Sequence, residues 1–132
     1  MGKNVIENVV IVLFTGIYFN RILLLRDKIT KEWMFPGGEI EFTDNNPFEA
    51  LKREFKEETG FSLPHLQKLQ YWKDINKTLV YMGYTQCKLP ERVNTVETDR
   101  ILYPTIQSVK NGNFQSKYGE LKDYCMHTLC SI

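Results

Sequence analysis

The chain has 132 residues, of which 42% are hydrophobic and 25% charged, and a formal charge of +1. These values suit one soluble domain over residues 1–132, with room for a real core. They leave no global electrostatic case for nucleic-acid or membrane binding. Three cysteines, Cys87, Cys125 and Cys130, form no CxxC or metal-ligand pattern. An odd count with no visible signal peptide predicts reduced thiols, a cytoplasmic location and cysteines acting as buried filler. Met1-Gly2 is followed by Ile6 where a myristoylation motif needs Ser or Thr.

In chain order, Val9–Phe14 is a continuous β-branched and apolar run, which predicts a buried strand. It is far too short to span a bilayer. Residues 15–20 turn the chain, and Arg21–Arg26 (RILLLR) reads as the partner strand. A polar loop, 27–32, leads through Trp33-Met34-Phe35 into Phe35-Pro36-Gly37-Gly38, read as a turn because proline fixes φ and glycine frees it. Asn46 as N-cap, Pro47 at the first helical position, Glu49 in a capping box and Gly60 past the end predict a helix over 47–59. Beyond it, 66–74 and 78–88 read as a hairpin rich in aromatic residues. Residues 90–98 read as an irregular connection, 100–103 as a short strand and 104–109 as a helical turn. A C-terminal helix is expected over 117–129, with Leu121, Tyr124 and Cys125 inward.

The helix at 47–59 sorts into stripes. Phe48, Leu51 and Phe55 face the core, Glu49, Lys52, Lys56 and Arg53 face solvent or its border, and Glu54, Glu57 and Glu58 share a third side. Each close pair of like charges there costs about 0.2–0.5 kcal/mol. Arg53 can offset part of that through Glu57, and a divalent cation would offset far more. Taken alone, such a stripe is more readily a solvated charged face.

The glycine turn changes that weighting. Gly38 together with Arg53-Glu54-Phe55-Lys56-Glu57-Glu58-Thr59-Gly60-Phe61 resembles the Nudix box, a loop-helix signature of the Nudix family. The second half of the signature fits at every position. Two departures stand in the first half: the family's first glutamate is Asp44 here, and eight residues rather than seven separate it from Arg53. The extra residue falls in the loop before Pro47, where an insertion costs little.

The resemblance implies an α/β/α sandwich around a mixed sheet. It also implies hydrolysis of a nucleoside diphosphate linked to a further group, first among them a normal or oxidised nucleoside triphosphate. Nucleotide sugars, dinucleoside polyphosphates and capped RNA ends are alternatives, as is a Nudix module that binds a nucleotide without cleaving it. The implied cofactor is Mg²⁺, with Mn²⁺ as an alternative. Its implied ligands are Glu54, Glu57 and Glu58, with a backbone carbonyl of Gly37 or Gly38. Arg53 would orient the glutamates or meet phosphate, and Arg26 would meet phosphate from the strand before the turn. The general base is left open among Glu54, Glu97, Asp99 and Glu120, with Glu97 preferred. Trp72 and Tyr81 are candidates for stacking on a base, against the commoner role of hairpin aromatics as core. A homodimer is common in the family, but no interface stripe can be read here.

Overall fold

The structure is a computed structural model that describes residues 6–75 and 77–114, the strand 67–75 by its backbone only. Its centre is β1 (Asn8–Thr15), which runs parallel to β7 (Thr78–Tyr84). On its other edge β1 pairs antiparallel with β2 (Arg21–Ile22) at one end and β5 (Gly37–Glu39) at the other. The long strand β6 (Gln67–Ile75) completes this mixed sheet beside β7. A second, antiparallel sheet has the order β4 (Trp33–Met34), β3 (Leu24–Asp27), β8 (Thr98–Leu102).

The unbroken apolar run of β1 follows from burial on both faces. Val9, Ile11 and Leu13 pack with Ala50, Leu51 and Phe55 of α1 (Pro47–Thr59) and with Ile101. Val10, Val12 and Phe14 pack with Val80, Met82 and Val109, the last from α2 (Ile106–Lys110). Helices on opposite faces of a mixed sheet give the expected α/β/α arrangement. The expected C-terminal helix lies outside the described residues. Among the described residues no helix is long and apolar enough to cross a membrane.

Three expectations are corrected. RILLLR is not one strand but two: Leu23 still donates to the Leu13 carbonyl (3.0 Å), and the chain then leaves β1 for the second sheet. Its side chains alternate between the two cores, Ile22 and Leu24 in one, Leu23 and Leu25 in the other, which is why all four are apolar. The glycine turn is in part a strand, since Gly37 and Gly38 pair with Val10 and Val9. Cys87, finally, is exposed rather than buried filler.

Candidate active site

Local signals alone set α1. Asn46 Oδ1 accepts from Glu49 N–H at 2.9 Å, Pro47 opens the helix, and Gly60 closes it at φ +81° with its N–H on the Lys56 carbonyl. These are an N-cap and a left-handed C-terminal glycine. The Glu49 carboxylate lies 3.6 Å from Lys52 Nζ, so its charge is directed along the helix.

Arg53 lies at the border of the solvent face, as expected, with its side chain 23% exposed, and it is the hub of the site. Nε and Nη2 donate to the two oxygens of Asp44 at 3.0 and 2.9 Å, a bidentate pair. Nη2 also donates to the Glu39 carbonyl at 2.9 Å, which ties the helix to the end of β5. Nη1 donates to Glu54 at 2.9 Å and to Glu57 at 3.3 Å, and Glu41 lies 3.4 Å away. Asp44 chiefly, then Glu54 and Glu57, hold the guanidinium more firmly protonated than usual. Arg53 in turn holds the Asp44 carboxyl below its ordinary range, helped by the Glu41 N–H. Asp44, on the loop that carries the extra residue, thus clamps Arg53. Glu41, which the sequence reading passed over, joins this cluster from the same loop.

Glu58 and Glu54 meet the glycines. Glu58, only 2% exposed, accepts from Gly37 N–H at 3.0 Å. A Cβ on Gly38 would lie 2.5 Å from Glu54 Oε2, so the Glu54 carboxylate rests directly against the glycine backbone. Burial pushes the Glu54 carboxyl above the usual range, and the negative charges of Glu57 and Glu97 add to this against the pull of Arg53. Glu97 lies on an exposed turn, near enough for its charge to bear on Glu54.

Arg26 is engaged elsewhere. Its Nε and Nη2 donate to Asp99 at 2.9 and 3.2 Å, and its guanidinium carbon lies 5.9 Å from the centre of the Trp33 ring. Lys31 also donates to Asp99. Arg26 first, then Lys31, hold the Asp99 carboxyl down to about 2, which makes it a poor base near neutral pH. Because an unfolded aspartate titrates near ~4, this pair's contribution to stability is complete above about pH 4 and is lost as the pH falls toward about 2. Wild-type protein is expected to unfold at higher urea than Asp99→Asn at about pH 6, with the gap closing by about pH 2. A gap independent of pH would contradict the ion pair.

Tyr81 packs edge-on against Phe48, ring centres 5.8 Å apart, and as placed it is a core contact. Trp72 lies in β6, its side chain outside the described residues, as is Glu120.

The residues fit a divalent cation by the chemistry of their donors. Glu54 is a desolvated carboxylate among like charges, set against a glycine that leaves no room for a Cβ. These are hard oxygen donors of the kind Mg²⁺ takes. Among the described residues, however, no three acidic, histidine or cysteine side chains converge on one point. Arg53 Nη1 stands between Glu54 and Glu57, and Glu58 is turned to Gly37.

The NUDIX domain model matches residues 6–130. No curated protein sequence is a significant match. Among solved structures, the MutT protein from Methanosarcina mazei Go1 is similar at TM-score 0.66 and 16% identity, covering 99% of this chain and 97% of that one. The NUDIX domain of Shewanella oneidensis NrtR, complexed with ADP ribose, has TM-score 0.64 and 17% identity over 97% of this chain and 90% of its own. A C. elegans Ap4A hydrolase binary complex has TM-score 0.58 and 16% identity over 97% and 100%. At such identities the structural likeness speaks for the fold.

Proposed function

The chain belongs to the Nudix family and is by that membership a pyrophosphohydrolase; from this premise we propose that it cleaves a nucleoside triphosphate, normal or oxidised, to monophosphate and pyrophosphate. One observation carries the site assignment: Glu54, desolvated and seated against Gly38, shares its charge field with Glu57 and Glu97. Nucleotide sugars, dinucleoside polyphosphates and capped RNA ends are the alternatives to the triphosphate within the same chemistry.

Nudix hydrolases generally use divalent metal ions. Here Glu54, Glu57 and Glu58, with a carbonyl of Gly37 or Gly38, would hold Mg²⁺ or Mn²⁺. Bound there, the ion would neutralise the pyrophosphate and polarise its P–O bonds. Arg53 keeps Glu54 and Glu57 oriented while Asp44 and the Glu39 carbonyl fix Arg53 itself. Glu97, exposed and on the turn beside Glu54, takes the proton of the attacking water. Arg26 meets a phosphate oxygen by exchanging its resting partner Asp99, and Trp72 is the stacking partner of the base.

The test is product release from a panel: normal and oxidised triphosphates, a nucleotide sugar, ADP-ribose, a dinucleoside polyphosphate and a short capped RNA. Pyrophosphate and monophosphate from a triphosphate are expected. Preference for another arm would replace the triphosphate reading. Nucleotide binding with no turnover in any arm would favour a silent module.

A further inference from the structure

The turn that carries Glu97 is short and clamped on both sides. On one side, the Thr95 hydroxyl donates to the Glu58 carbonyl oxygen at 2.8 Å, a contact across 37 residues. That carbonyl belongs to the last turn of α1, where backbone acceptors lack partners within the helix. Its neighbours are met locally, Lys56 by Gly60 N–H and Phe55 by the Thr59 hydroxyl, but Glu58 is met from another part of the fold. The same Thr95 hydroxyl accepts from Thr98 N–H at 3.1 Å, and Thr95 N–H donates back to the Thr98 carbonyl at 3.1 Å. These two bonds close the turn 95–98, with Glu97 as its third residue.

On the other side, Lys28 N–H donates to the Glu97 carbonyl at 2.7 Å, and Lys28 Nζ donates to Asn94. Thr98 then enters β8 fully buried, while Val96 at the tip is 89% exposed. The turn is therefore fixed at its base and open at its tip, with Glu97 between.

Resting on the reading of Glu97 given above, we propose that Thr95 is a positioning residue that sets Glu97 at a fixed distance from the glutamate stripe of α1. The geometry gives the reason. One helix carries Glu54, Glu57 and Glu58 and also supplies the carbonyl to which the Glu97 turn is fastened. The hydroxyl thus links the turn of the candidate base directly to the helix of the carboxylates it works beside, and small misplacements of reacting groups are costly. Serine could make the same bonds. Valine, of the same shape, could not.

The experiment combines turnover with amide hydrogen exchange in Thr95→Val, Thr95→Ser, Glu97→Gln and the double variant Thr95→Val/Glu97→Gln. Thr95→Val is expected to lower kcat about tenfold with KM little changed, the scale of one lost hydrogen bond. Thr95→Ser should stay within about twofold of wild type. In the Glu97→Gln background, Thr95→Val should add no further loss, because its effect passes through Glu97. Amides of 94–99 should exchange faster in Thr95→Val and not in Thr95→Ser.

Unchanged exchange in Thr95→Val would overturn the clamp whether or not a substrate has been found. Equal fold-losses from Thr95→Val in both backgrounds would overturn the positioning role while leaving Glu97 its own. Wild-type turnover in Glu97→Gln would overturn the reading of Glu97, and the role of Thr95 with it.

Discussion

Glu54→Gln is expected to lower turnover by about a hundredfold to ten-thousandfold while the protein melts no lower than wild type. The two halves of this expectation come from one fact. Glu54 is desolvated, and its carboxyl sits above the usual range because the fold does not favour its charge. A carboxyl raised in the folded state detracts from stability once the pH passes its unfolded value, so removing the charge does not weaken the fold. Glutamine keeps the shape against Gly38 and an oxygen for Arg53, but it is a poor ligand for a hard cation. Near-wild-type turnover would remove Glu54 from the machinery. A collapse in melting temperature would show that its role is structural.

Gly37→Ala is expected to act on the fold itself, with a loss of about 3–5 kcal/mol. Gly37 sits at φ +149°, and an added Cβ would land on the Val9 carbonyl oxygen and 2.6 Å from Val10 Cα. Both obstacles are backbone of the central strand, so no rotamer change relieves them. Part of the strain would separate β5 from β1, and with it the Gly37 N–H from Glu58. For a chain of this size the melting temperature should fall by roughly 10–20 °C. A fall of only about a degree or two would mean that β5 can move off β1 at little cost.

What could be read from the sequence follows how local each cause is. Residues 47–59 are a helix because Asn46, Pro47 and Gly60 settle its ends within a few residues, and its glutamate stripe follows from helical spacing alone. The two-sided burial of β1 was legible because an unbroken apolar run admits few other readings. By contrast, RILLLR has one composition over two sheets, and nothing within six residues marks where the chain changes partners. The border position of Arg53 was legible, but its partners Asp44 and the Glu39 carbonyl were not, because they reach it from a loop folded back over the helix. The partner of Arg26 lies 73 residues away at Asp99, and that of the Glu58 carbonyl 37 residues away at Thr95. A signal for Thr95 did exist, in a threonine two residues before the preferred base, but only the fold gives it a partner.

The decisive measurement is pyrophosphate release from the preferred triphosphate by wild-type protein, first in EDTA and then with Mg²⁺ restored. Turnover that vanishes in EDTA and returns with Mg²⁺ is the predicted result, since the stripe of Glu54, Glu57 and Glu58 has neutralising partners for its charge but no other means of activating a phosphoric anhydride. Turnover that persists undiminished in EDTA would contradict the assignment of that stripe as a cation site.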